Sequence, residues 1–252
     1  MRHSVTAFFL SAVSVFAGQP LNYADGITKL AGYIARPATA KDKLPGVVVV
    51  HQWMGLSEHE RRVSDDLAKL GYVALAADIY GEGVKPGSAG EAGKLAGSFK
   101  GDRPLYRRRL AAAIEALKAQ PGVDGNRLAV IGFCFGGMGA LEAARAGLPV
   151  KGVVSFHGDL EAPAGAAPSP LSAKVLVCHG ADDPFVPAKA VAAFQDEMKK
   201  AQADYVFVAY AGAVHAFTQT EAGNDSSKGA AYNAAAHRRS WQHMQDFFRE
   251  IF

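Results

Sequence analysis

Cysteine is scarce in this chain. Two residues in 252, Cys134 and Cys178, cannot build a disulfide framework, so stability has to come from a buried core. Neither sign of charge dominates. With 27 basic and 24 acidic residues the formal net charge is +3, too small and too scattered to mark a nucleic-acid surface. The densest basic cluster, Arg107, Arg108 and Arg109, falls at the start of a helical pattern and reads as a solvated face. Histidines near the strand ends lack a ligand spacing such as H-x-x-x-H, and the acids beside them have another use. No metal and no cofactor is therefore implied. No run is long enough to span a bilayer: VTAFFLSAVSVFA near the N-terminus is too short. With Met1-Arg2-His3 before it and Val-x-Ala ahead of Gly18, it resembles a secretory signal peptide. That reading sets residues 1–18 apart and sends the protein to the periplasm or the exterior. The competing reading is an apolar segment that stays on the body of a cytoplasmic protein.

What is abundant is apolar sequence, 49% of the chain, enough for one well-buried domain over residues 19–252. LNYADGITKLAGYIARP reads as two short strands around the Asp25-Gly26 turn. From there apolar runs alternate with helical patterns. VVVVH, YVALAA, LAVIGF, VVSF, VLVCH and YVFVAY are continuous rather than alternating, as strands covered on both faces are. Helices are expected at 59–70, 89–99, 104–119, 138–147, 188–201 and 230–251, the last with Trp241, Met244, Phe248 and Ile251 on its core face. The expectation is an α/β fold: a mostly parallel central sheet, helices on both faces, and no large cap domain. EAPAGAAPSP is read as a surface loop.

In such a sheet ligands sit beyond the carboxyl ends of the strands. The residues that end the runs are polar here: His51 and Gln52, Asp78, Cys134, His157, Asp183 and His215. Cys134 lies in Gly132-Phe133-Cys134-Phe135-Gly136, a G-x-C-x-G version of the sharp strand-to-helix turn that presents a nucleophile. An acid after a later strand and His215 after the last strand complete the chain order nucleophile, acid, histidine. Asp182 and Asp183 both qualify as the acid, and the extended bias of a residue before proline favours Asp183. A Cys–His pair of this kind is expected to titrate in the range of about 6 to 8. Cys178 and His179 read as a buried thiol and a packed histidine.

Through GFCFGG, SFHG, HGADDPFVP and GAVHAFTQ the chain resembles the dienelactone hydrolase family of the α/β-hydrolase superfamily, over nearly everything after about residue 20. The resemblance implies a Cys134, Asp183, His215 triad, an oxyanion hole made by the amides of Trp53 and Phe135, and a thioester acyl-enzyme that hydrolyses a carboxylic ester or lactone. Gln52, Tyr80, Glu82, His157 and Gln219 are the candidate pocket residues. The departures are informative. The family commonly has Glu where Gln52 stands, and the dienelactone enzymes have Arg at Gln219; these two form an ion pair that substrate carboxylate disrupts. A second arginine is replaced by Glu82. An amide is a poor substitute for a guanidinium fork facing a carboxylate, so the substrate expected is a neutral ester or lactone rather than the acidic dienelactone. The other readings are a thioesterase or acyl transferase with the same triad, and a non-catalytic binding protein of this fold. The partner is a small molecule, and the chain a monomer or small homo-oligomer.

Overall fold

The structure, a computed structural model, describes residues 18–39, 42–163, 165–166 and 168–252. The segment read as a signal peptide lies, Gly18 apart, outside them. The first two strands, β1 (Gln19–Asp25) and β2 (Thr28–Ala35), form a hairpin closed by the Asp25–Thr28 pair. Its turn residues are Gly26 and Ile27, and Gly26 supplies the left-handed conformation at φ 58° that such a turn needs. The remaining strands are β3 (Leu44–Val50), β4 (Val73–Ala77), β5 (Val123–Phe133), β6 (Gly152–Phe156), β7 (Lys174–Gly180) and β8 (Tyr205–Tyr210). Together they make one eight-stranded sheet in the order β1-β2-β4-β3-β5-β6-β7-β8. Antiparallel pairing is confined to β1–β2 and β2–β4, and every other neighbour is parallel.

The continuous apolar runs are explained by the two layers that cover them. On β3, Val47 and Val49 face one side, with Val63 and Leu67 of α1 (Glu58–Lys69) and Met244, Phe247 and Phe248 of α6 (Ala234–Ile251). Val48 and Val50 face the other. That second layer is built from α2 (Ala89–Gly101), α3 (Arg103–Lys118), α4 (Phe135–Arg145) and α5 (Ala188–Lys200). Side chains two apart on a strand share a face, so a strand with both faces covered must be apolar at consecutive positions. No large cap interrupts this arrangement among the described residues, and no described helix is long and apolar enough to cross a membrane.

Two helix starts differ from expectation for local reasons. Helix α4 begins at Phe135, immediately after the Cys134 turn, rather than at residue 138. Helix α6 begins at Ala234 rather than 230, because Asn233 caps it through the Ala236 amide at 3.0 Å while Ala231 N–H is spent on the His215 carbonyl at 3.0 Å.

The arginine cluster is not a solvated face. Arg108 is exposed, but Arg109 is buried and ties α3 to the hairpin turn through Asp25 and Thr28, the latter at 3.1 Å. Arg107 meets Glu142 at 2.8 Å, and this fully buried carboxylate also holds Arg103 at 3.2 Å and Arg145 at 3.1 Å. Helical periodicity shows which face of α3 is polar but not that an acid on α4 lies opposite it. Removing the acid leaves cations without a partner in a desolvated site. Glu142→Gln is expected to cost about 3–5 kcal/mol of stability in chemical denaturation; a loss below about 1 kcal/mol would contradict a buried network here.

Candidate active site

The turn between β5 and α4 places Cys134 at φ 56°, ψ −114°, a conformation that non-glycine residues rarely adopt and that costs about 1–3 kcal/mol. The surroundings hold it there. Cys134 N–H donates to the Phe156 carbonyl at 3.0 Å, and the Cys134 carbonyl accepts from the amides of Gly137 at 3.0 Å and Met138 at 3.2 Å. The flanking glycines are required by close approach. A Cβ on Gly132 would lie 2.0 Å from the Gly136 carbonyl oxygen, and one on Gly136 would lie 2.2 Å from that of Val50. The thiol thus sits, half-buried, at the N-terminal end of α4, where the helix dipole favours negative charge.

Asp183 and His215 arrive from separate loops. After β7, Asp183 N–H closes a turn onto Gly180 O at 3.0 Å, and the Asp183 carboxylate accepts from the Phe185 amide at 2.9 Å. Its other oxygen accepts from His215 Nδ1 at 2.8 Å, with the carboxylate fully buried. Asp182 is exposed, so of the two neighbours it is Asp183 that reaches the histidine. His215 is anchored by its own backbone, N–H to Gly229 O at 3.1 Å and O to Ala231 N–H at 3.0 Å. Burial disfavours the imidazolium, yet hydrogen bonding to Asp183, and then to the Cys134 sulfur, outweighs it and raises the His215 pKa to about 10. That lies above the range of about 6 to 8 expected from the sequence, because spacing alone gives no measure of how deeply the carboxylate is buried.

Cys134, His215, Gln52, Trp53, Phe135 and Gln219 line one cavity of about 540 Å³. The amides of Trp53 and Phe135 have no intramolecular partner among the described residues. Gln219 Nε2 is buried and equally without one. The remaining wall is mainly apolar, from Ala96, Phe185, Val186 and Ala216. Apart from the His215 imidazolium, the cation in its lining is Lys100, paired with Asp159 at 2.9 Å.

Three expected pocket residues lie elsewhere. Tyr80 is buried beneath the wall, donating its hydroxyl to the Trp53 carbonyl at 2.8 Å and packing against Phe135. Glu82 lies outside the cavity, its amide bonded to Lys29 O at 2.9 Å on the hairpin side, and lines a shallow depression there. His157 is fully buried behind His215, ring centroids 5.2 Å apart, with Nε2 on the Thr218 hydroxyl at 2.8 Å. Of the other strand ends, Asp78 bonds the amides of Ala31 at 3.0 Å and Gly81 at 2.9 Å, a structural brace. Lys100, Asp159 and Phe185 went unforeseen, since nothing local brings a helix end over the pocket. Glu60 had a legible signal: Ser57 and Glu60 form a capping box, and the buried Glu60 also accepts from the Gln52 amide at 3.3 Å, steadying the loop before Trp53.

A model of the dienelactone hydrolase family matches residues 30–252. The chain belongs to the dienelactone hydrolase family. It is an α/β-hydrolase of the type that acts on lactones and esters. Among the relatives of this dienelactone hydrolase family member, a Bradyrhizobium protein provisionally named a 2-oxo-3-(5-oxofuran-2-ylidene)propanoate lactonase is 34% identical over 77% of this chain and 80% of that one. A Synechocystis protein provisionally named a carboxymethylenebutenolidase is 30% identical over 88% of this chain and 92% of that one. A solved structure described as a dienelactone hydrolase-like promiscuous phosphotriesterase from metagenomic libraries is 39% identical, with a TM-score of 0.89 over 94% of this chain and 98% of that one.

The raised pKa has a direct readout. A group held above its usual value keeps its proton through neutral pH and loses it as pH rises through the folded value. The His215 ring signal in NMR is expected to stay in its protonated form at pH 7.5 and to titrate near 10. In Asp183→Asn it should move down toward the ordinary histidine value of about 6.5. Titration of His215 near 6.5 in the unaltered protein would contradict the assigned pairing.

Proposed function

We propose that this protein hydrolyses a neutral carboxylic ester or lactone through Cys134, His215 and Asp183, with a thioester acyl-enzyme. The observation that carries the reading is that His215, hydrogen-bonded at 2.8 Å to the buried Asp183 carboxylate, lines the same cavity as the thiol on its strained turn. The Cys134 sulfur attacks the substrate carbonyl while His215 holds the proton. The amides of Trp53 and Phe135 take the developing oxyanion, as preorganised donors that spend no other bond. The imidazolium then protonates the departing alkoxide, and the acyl group stays on sulfur. Neutral His215 next accepts a proton from water, whose oxygen attacks the thioester; collapse releases the acid and restores the thiol. Asp183 fixes the Nδ1–H tautomer and stabilises the imidazolium in both halves.

Preference for a neutral substrate follows from the lining. Gln52 and Gln219 are uncharged amides, and Lys100 is already paired. The unpartnered Gln219 amide can donate to a carbonyl or ether oxygen but cannot neutralise a carboxylate. A second reading, hydrolysis of phosphotriesters by the same residues, is supported by the structure that is 39% identical to this chain and described as a promiscuous phosphotriesterase; such esters too are neutral.

Cys134→Ala is expected to lower kcat by about 10⁴-fold or more with the unfolding transition intact, and His215→Ala to behave alike. Asp183→Asn should cost less, about 10²–10⁴, and the exposed Asp182→Asn almost nothing. Full activity in Cys134→Ala, measured on small neutral esters, would refute the reading.

The two glutamines give a second test. Gln52→Glu and Gln219→Arg each place an unpaired charge in a partly dry cavity and should each cost about 1–3 kcal/mol in stability or activity. The double variant should recover roughly 0.5–3 kcal/mol as coupling energy and shift preference toward acidic lactones. Zero coupling would mean that the two side chains do not meet.

A further inference from the structure

A second cavity, of about 510 Å³, opens between α1 and α6. Its size is that of a small-molecule site, and it lies on the other layer of the sheet from the helices that wall the catalytic cavity. None of the residues that line it lines the catalytic cavity. Its chemistry also differs. Trp241 and Tyr232 supply aromatic faces, Arg62 and Arg238 guanidinium groups, and His59 and His237 imidazoles.

The partners of these groups decide what they can hold. Arg62 is paired with Glu221. Arg238 has no carboxylate partner among the described residues. The acid in the lining, Asp66, is offset in part by Lys69 at 2.7 Å in an exposed pair, and its remaining charge acts on His237. His59 is fixed by its edge-on contact with Phe133, centroids 4.8 Å apart, yet its Nε2 is buried with no hydrogen-bond partner. A buried polar nitrogen left unpaired costs about 1–3 kcal/mol, a penalty that an occupant with a hydrogen-bonding group removes. Burial pushes the pKa values of both His59 and His237 down, so near neutral pH they act as neutral hydrogen-bonding groups and Arg238 supplies the free positive charge.

We infer that the α1–α6 cleft binds an aromatic carboxylate, separately from the catalytic cavity, with Arg238 on the carboxylate and Trp241 and Tyr232 against the ring. A planar guanidinium matches a carboxylate with two parallel hydrogen bonds, and the aromatic walls favour a flat apolar body over a bare inorganic anion.

The chain's two tryptophans, Trp53 and Trp241, make the test direct. In Trp53→Phe, Trp241 is the sole tryptophan, and titration with benzoate is expected to give a saturable change in its emission. Benzamide, the neutral isostere, should give none at the same concentrations. Arg238→Ala, a change at an exposed side chain that should leave folding intact, should weaken benzoate binding by about 10-fold or more. Alkylating Cys134 with iodoacetamide, while Cys178 stays fully buried, should leave the titration unchanged. The inference is overturned by any of four results: no saturable change, equal binding of benzamide, insensitivity to Arg238→Ala, or loss of binding once Cys134 is blocked.

Discussion

The close approach of Gly136 to the end of β3 is the constraint on which the site depends. Only a residue without a Cβ lets the first turn of α4 lie against the Val50 carbonyl, and only that position lets the chain turn through Cys134 at a positive φ. The register of the parallel sheet does the rest. Val50 pairs with Gly132, Gly132 with Ser155 and Ser155 with Val177, so consecutive strands end level and their loops open on one edge. The loop after Val50 carries Trp53, and the turn after Gly132 carries Cys134 and Phe135. Two free amides and a thiol therefore converge because β3 and β5 are neighbours, although the residues are some eighty positions apart in sequence.

Polar strand ends in this protein divide into those that face the cavity and those that brace it. His215 belongs to the first group, and the fully buried Asp183 carboxylate holds it through Nδ1. His51 belongs to the second: its Nε2 accepts from the Ile79 amide at 3.3 Å, leaving Nδ1–H to donate to the Gln52 carbonyl at 2.6 Å. Burial lowers its pKa, consistent with a neutral ring that joins the ends of β3 and β4. Tyr80 below Trp53, Glu60 beside Gln52 and His157 behind His215 complete this scaffold. Such bonds make the loops rigid without touching a ligand, which is what a preorganised oxyanion site requires.

Sequence reasoning succeeded where one local pattern has one physical cause. Continuous apolar runs mean strands covered twice, and glycines two residues either side of Cys134 mean a sharp turn. It failed where a side chain's role depends on what another element brings to it. Tyr80, Glu82 and His157 all follow strands, but one points beneath the cavity, one outside and one behind its histidine. Arg107 and Arg109 read as solvated because their acids, Glu142 and Asp25, lie on α4 and in the hairpin. Lys100 and Asp159 close over the pocket from α2 and from the loop after β6, a meeting that only the folded topology produces.

The central claim, that Cys134 carries the acyl group, is tested most directly by rapid quenching during turnover of an activated neutral ester, followed by mass analysis of the proteolysed chain. The account predicts a labile acyl adduct on the peptide containing Cys134, formed and lost at rates that match turnover. Turnover without an adduct there, or with the adduct on another residue, would contradict it.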